Sequence, residues 1–283
     1  MKDLKNLKSI DLSTITIIGT SINFIWSLMF VIILTIALSL VIGKFNISFV
    51  IIGIGIIFGT IILSIAEYFG VSFLYNFFIK KMKYVQIDIS GMDKIIEISV
   101  LPFALIAAVI SLLVSIILYP IIFLSLTFVS ILYPLLQAMI FKGVSWAVFP
   151  ISLIFSPLFI FYVFIIAIIF TTIGTYIFNK ISLILGGLKL SLSKNGKMTE
   201  ICSIDPKTAG IITGTIFLLF GLFYGLIFSI LSGNFPANII LTTVFIIGGF
   251  ICGFVYGTVS SVLYNFFAKK FGPVKLELEC SEQ

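Results

Sequence analysis

Histidine and arginine are absent from this 283-residue chain, and only three cysteines occur, Cys202, Cys252 and Cys280. Without histidine there is no imidazole general base and no imidazole metal ligand. Three cysteines at these spacings form no metal motif and cannot all pair with one another. No Gly-rich loop ends in Lys-Ser or Lys-Thr, so the usual phosphate cradle is missing, and no paired acidic motif stands beside one. Charge is scarce as well, at 10% of residues. These absences lead to the expectation of a non-enzymatic protein with no cofactor and no metal centre.

What fills the chain instead is apolar sequence: 60% of residues are hydrophobic and the mean hydropathy is +1.30. A run of about 20 apolar residues crosses a bilayer as a helix. Six runs qualify: Ile15–Ile42, Ile47–Phe78, Val100–Leu126, Ala147–Ile177, Thr208–Leu231 and Ala237–Ala268. The polar stretch before the first lacks the short apolar core of a removable signal, so that span is expected to be retained. The expectation is an α-helical integral membrane protein with six transmembrane helices.

All 17 basic residues are lysines, and only Lys44 and Lys142 fall in the connections opposite the other 15. Such a bias places the lysine-rich side in the cytoplasm. A multi-pass protein of the cell membrane is therefore expected, with N- and C-termini cytoplasmic. Its expected partners are membrane lipids, with Lys80, Lys81, Lys269 and Lys270 against anionic headgroups. Another membrane protein is a further candidate partner. Topology accounts for the lysines, so they are no nucleic-acid signal.

Three stretches of the chain resemble one another. "SFLYNFFIKKMKYVQIDIS" at Ser72–Ser90 returns as "SVLYNFFAKKFGPVKLELE" at Ser261–Glu279, and "GTYIFNKISLILGGLKLSLS" at Gly174–Ser193 is a blurred copy. In each, an asparagine precedes by nine residues an apolar residue that opens a period-two alternation: Asn76 and Val85, Asn179 and Leu188, Asn265 and Val274. Upstream, "LKSIDLS" and "EICSIDP" open the first and third copies, and "IIEISV" opens the second without the aspartate. Fixed-offset similarity of this kind marks a repeat architecture. The copies cover residues 6–91, 93–195 and 197–280. Each reads as strand, span, outer loop, span, asparagine-bearing helix end and strand. The expected fold is three tandem helical hairpins with pseudo-threefold symmetry and a small cytoplasmic β platform. The closing strands are Val85–Ile89, Leu188–Leu192 and Val274–Leu278. The opening segments alternate less cleanly. Either the strands share a sheet or small barrel, which offsets their exposed edges, or each pair lies alone on the membrane face.

Gly186, Gly187 and Gly272 suit helix stops before the second and third closing strands. The middle copy carries extra sequence at about 127–146, expected to be re-entrant or to lie in the outer interface. A further full crossing there would reverse the charge bias.

On "SIDP", "LYNFFAKKFG" and "VKLEL", the chain resembles a family of small bacterial two-span membrane proteins known as a transmembrane domain of unknown function. "SIDLS" and "LYNFF" carry the likeness in the first copy, and "FNK" and "GGLKLSL" carry it in the second. The resemblance implies three fused copies of a unit that could otherwise assemble from separate chains as a trimer. It implies no activity.

Tyr75, Tyr264, Asn76, Asn179 and Asn265 fall at the predicted cytoplasmic helix ends. Tyrosine suits an interface, and asparagine can satisfy backbone groups or bond across helices. The sharper alternative is an asparagine ring that binds an ion or a headgroup. Glu67 is the one carboxylate embedded in a span, where acids face a bundle interior, a partner or water. It reads either as a hydrogen-bonded packing residue or as a proton- or cation-sensitive site. The glycines of "GIGIIFG", Gly53–Gly59, read as a close helix contact. The function expected is scaffolding or regulation of a membrane assembly. A small channel or transporter along the pseudo-threefold axis is the alternative, and an intramembrane lipid-handling enzyme lacks the acid–base groups it would need.

Overall fold

The structure is a computed structural model that describes residues 3–91, 93–117, 119, 158–232 and 235–280. Among them six helices are long and apolar enough to cross a membrane. These are α1 (Leu12–Ile42), α2 (Ile47–Phe78), α3 (Val100–Ile117), α4 (Phe159–Leu185), α5 (Pro206–Ser232) and α6 (Phe235–Phe271). Helix α2 has the bounds read from sequence, whereas α4 continues past Ile177 until Gly186 and Gly187 stop it with φ of 77° and 92°. The extra sequence at 127–146 lies outside the described residues.

The chain divides into two compact units, Met1–Ser99 with Gly174–Gln283, and Val100–Ile173. In the smaller unit the Tyr119 and Phe159 rings stack at 6.1 Å. The larger unit holds two helical hairpins, α1 with α2 and α5 with α6. Helix association between apolar helices needs close packing or hydrogen bonds, because the medium is as apolar as the side chains. Both are present. Asn23 Nδ2 donates to Ser64 Oγ at 3.0 Å between α1 and α2. Between α1 and α6, Trp26 Nε1 donates to Ser260 Oγ at 3.0 Å and the Trp26 ring stacks on Tyr256 at 5.4 Å.

Glycine sets the α5–α6 contact. A methyl group added at Gly249 would lie 2.7 Å from the Phe217 carbonyl oxygen, and one at Gly253 2.8 Å from that of Thr213. At Gly257 it would lie 2.8 Å from the Ala209 carbonyl oxygen. The four-residue spacing places all three on one face. The glycines of "GIGIIFG" do not form one close helix contact, contrary to the expectation from sequence. Only Gly53 packs closely, against Val31, while Gly55 and Gly59 meet nothing within 4 Å. Two residues along a helix is about 200°, so Gly53 and Gly55 cannot share a face.

The strands form a closed antiparallel barrel in chain order, with the last pairing to the first. They are β1 (Leu4–Ile10), β2 (Val85–Ser90), β3 (Lys94–Ile98), β4 (Leu188–Asn195), β5 (Met198–Ile204) and β6 (Val274–Cys280). Closure removes every exposed edge. Cross-strand partners share a face, so the register identifies the filling. Leu7 opposes Val85 and Leu278, Ile87 opposes Ile98, Ile95 opposes Leu188, Leu190 opposes Ile204, and Ile201 opposes Val274. Val85, Ile87, Ile89, Leu190 and Val274 are buried. The other face carries Gln86, Lys94, Lys189, Glu200, Lys275 and Glu277. Tyr264 and Ala268 of α6 and Ile18 of α1 form a buried cluster with Val274, against which Ile201, Ile204 and Leu276 pack. One end of the barrel is thereby seated on the helix ends.

The poor alternation of the opening segments has a structural cause. Each of β1, β3 and β5 carries one unopposed residue two places before its end: Lys8, Ile96 and Cys202. A bulge of this kind advances the face by one residue. Leu7 and Ile10, Ile95 and Ile98, and Ile201 and Ile204 are three apart, yet each pair stays on the apolar face.

Candidate functional site

Each bulged strand ends where the chain turns into a helix, and its final residue loses its neighbour on one side. Ile10 is paired to β6, but β2 pairs with β1 only as far as Leu7. The Ile10 N–H and C=O on the open side need partners, as buried backbone groups do. A carboxamide offers the same donor and acceptor as a peptide group, and Asn76 of α2 supplies it. The Ile10 N–H donates to Asn76 Oδ1 at 2.8 Å, and Asn76 Nδ2 donates to the Ile10 carbonyl at 2.8 Å. Asn179 of α4 binds Ile98 in the same way at 2.9 and 2.8 Å. Asn265 of α6 binds Ile204 at 2.8 and 2.8 Å. Every one of these side chains replaces a missing strand.

The next residue along is also held. The N–H groups of Asp11, Ser99 and Asp205 donate to the carbonyls of Lys275, Gln86 and Lys189 at 2.9, 2.8 and 3.0 Å. In return the Lys275 and Lys189 N–H groups donate to the Thr14 and Thr208 hydroxyls at 3.3 Å. Pro102 stands where a third threonine would be and has no hydroxyl. There the Gln86 N–H donates to Ser99 Oγ at 2.8 Å instead. The aspartates of the Ile-Asp openings are helix caps. Thr14 N–H donates to Asp11 at 2.9 Å and Thr208 N–H to Asp205 at 3.0 Å. Asn46 caps α2 by accepting from the Ser48 N–H at 2.9 Å.

Tyr75 and Tyr264 are buried and donate to the carbonyls beside the bulges, Leu7 at 2.9 Å and Ile201 at 2.6 Å. Tyr264 also accepts from the Val274 N–H at 3.2 Å. Phe178, which precedes Asn179, has no hydroxyl for this contact. The asparagines and tyrosines are thus engaged with strand backbone. Glu67 is exposed on α2, apart from these joints, among exposed Leu63, Ile65 and Phe69. Lys80, Lys81, Lys269 and Lys270 are exposed at the ends of α2 and α6. Lys81 lies 4.5 Å from the Phe77 ring centroid and Lys270 4.8 Å from that of Phe266. Among the described residues no group of three acidic, cysteine or histidine side chains is placed to hold a metal.

The Thr208 backbone N–H, assisted by the Thr208 hydroxyl and the field of Lys189, holds the Asp205 carboxyl below its ordinary value. A carboxyl lowered on folding contributes stability above its unfolded value, and loses it as pH falls through the folded value. Asp205→Asn retains a neutral cap. Its thermal stability should therefore fall less than that of the unsubstituted protein between about pH 4 and pH 2. Parallel melting curves of the two proteins through that window would contradict this role.

Several participants have only a weak sequence signal. Thr14, Thr208 and Ser99 were hidden in ordinary polar openings, although Thr14 and Thr208 each stand three residues after the aspartate of Ile-Asp, and Ser99 takes that aspartate's place in the second copy. Trp26 with Ser260 and the Gly249-Gly253-Gly257 face were also missed; the latter was available from its four-residue period. No family model, no curated protein and no solved structure matches the chain.

Proposed function

We propose that this chain is a non-enzymatic, multi-pass protein of the cell membrane that scaffolds or regulates a membrane assembly through its barrel. Three tandem helical hairpins, in copies 6–91, 93–195 and 197–280, have pseudo-threefold organisation and together build a platform on the cytoplasmic side. The likeness to the two-span family supports reading them as fused copies of one unit. The observation that carries the proposal is the use made of the polar residues at the joints. Asn76, Asn179, Asn265, Tyr75 and Tyr264 bind strand backbone and fix the barrel to the helix ends. Such fixation gives a rigid surface, and rigid presentation lowers the ordering cost of binding a partner. The apolar filling by Val85, Ile87, Ile89 and Leu190 weighs against a water-filled path through the barrel.

Purification in mild detergent should recover a membrane-protein partner, and liposomes containing the chain alone should pass no ions. Glu67→Gln should leave that absence of flux unchanged and should not lower the melting temperature, since it removes an ionisable group that is costly to place in hydrocarbon. Ion flux that depends on pH in the unsubstituted protein and disappears in Glu67→Gln would replace the scaffold by a conduit.

A further inference from the structure

The barrel has one seam unlike the others. Strands β3 and β4 oppose each other at two positions, Lys94 with Lys189 and Ile95 with Leu188. The β1–β2 and β5–β6 seams have four each. Lys94 and Lys189 are directly opposite on the polar face, where like charges destabilise a ladder. The corresponding place in the other two seams, four residues before the clamped isoleucine, holds Asn6 opposite Gln86 and Glu200 opposite Lys275. The first pair is neutral. In the second, Lys275 Nζ lies 3.7 Å from Glu200 Oε1.

Nearby acids do not complete a charge pair with the two lysines. Asp205 lies within the field of Lys189, but its carboxylate accepts the α5 cap bond from Thr208. Asp93 precedes Lys94 in the turn, where its carboxylate lies against Gly91. Among the described residues, neither Lys94 nor Lys189 makes an ion pair within 4 Å. The seam cannot easily separate to relieve the repulsion. The Leu190 N–H donates to the Asp93 carbonyl at 2.7 Å. Gly187 approaches so closely that an added methyl would lie 3.0 Å from the Ile95 carbonyl oxygen. Its φ of 92° also disfavours a side chain.

We infer that Lys94 and Lys189 form a site for a phosphate group, which bridges the two ammonium groups across the β3–β4 seam. A doubly charged, multi-oxygen anion is the chemistry that satisfies two facing lysines, each with three donors. Lys189 lies two residues after Gly187 of the Gly186-Gly187 stop of α4, so the site adjoins the end of an apolar helix. A phospholipid headgroup can reach such a level, and so can a free phosphate from water. This inference rests on the strand register and stands without the scaffold reading.

The test uses the full chain in nanodiscs, with melting temperature and titrated binding as readouts. One arm adds inorganic phosphate or pyrophosphate to discs of neutral lipid. The other replaces part of the neutral lipid with phosphatidic acid. The unsubstituted protein should melt at higher temperature in at least one arm, and the arm that responds identifies the source. Lys94→Glu recreates the Glu200–Lys275 pairing. It should melt higher than the unsubstituted protein in neutral lipid without phosphate, and should lose the response to the anion. Lys94→Gln retains one lysine and should bind the anion roughly tenfold or more weakly. No response in either arm, or an equal response in Lys94→Glu, would overturn the site. Detection of a protein partner or of ion flux leaves this result untouched, so the two proposals fail separately.

Discussion

Asn265→Ala should destabilise the protein by about 2–4 kcal/mol, because it leaves both the N–H and the C=O of Ile204 without partners. The carboxamide makes two bonds of 2.8 Å to that one residue, at a joint that is only partly open to water. Alanine supplies neither group. Asn265→Asp is the informative companion. Its carboxylate can accept from the Ile204 N–H but, when ionised, cannot donate to the carbonyl. It should also bring negative charge against that oxygen and recover little of the lost stability at neutral pH. Hydrogen exchange at Ile204 should accelerate in both variants, while exchange at Ile98, held by Asn179, should change less. A loss of less than about 0.5 kcal/mol for Asn265→Ala would show that water replaces the clamp at little cost.

Gly253→Leu should have an effect of similar size, through sterics. The first atom of any side chain at this site would stand 2.8 Å from the Thr213 carbonyl oxygen and 2.7 Å from the Phe217 Cβ. Backbone cannot rotate aside as a side chain can. The α5 and α6 helices must therefore separate, which breaks the contacts at Gly249 and Gly257 as well. Overpacking of this type costs about 3 kcal/mol. Gly55→Leu on α2 is the control, since an added group there meets nothing within 4 Å. Thermal unfolding in detergent should show a large loss for the first variant and a change within about 0.5 kcal/mol for the second. Equal losses would contradict a specific role for the α5–α6 contact, since leucine has the higher helix propensity at both positions.

The parts of this fold legible in the sequence are those written at a simple period or a fixed offset. Six helices were readable from long apolar runs, and Val85, Leu188 and Val274 each begin a strand at the predicted residue. The opening strands were harder. A bulge at Lys8, Ile96 or Cys202 turns a period of two into a spacing of three, which a strand pattern does not anticipate. The asparagine offset was visible, but its cause was not. Asn76 and Ile10 are 66 residues apart, and their contact exists only once β2 has diverged from β1. The glycine contact shows the reverse error. Three glycines in "GIGIIFG" stand out by number, whereas spacing by four, as in Gly249, Gly253 and Gly257, is what places glycines on one helix face. The Lys94–Lys189 opposition was invisible without the register, because nothing near either lysine announces its partner.

Barrel closure can be tested through the two ends of the chain. Lys5 of β1 opposes Cys280 of β6. Opposed residues in an antiparallel pair lie about 4.5–5.5 Å apart between Cα atoms, within the range that a disulfide spans. Lys5→Cys, in a chain whose Cys202 and Cys252 are replaced by serine, should form an intramolecular disulfide to Cys280 on mild oxidation in the membrane. Peptide mass spectrometry should find that bond in a monomer, and the oxidised protein should melt higher than the reduced one. Failure to form it, or its formation only between two chains, would contradict a barrel closed by the first and last strands.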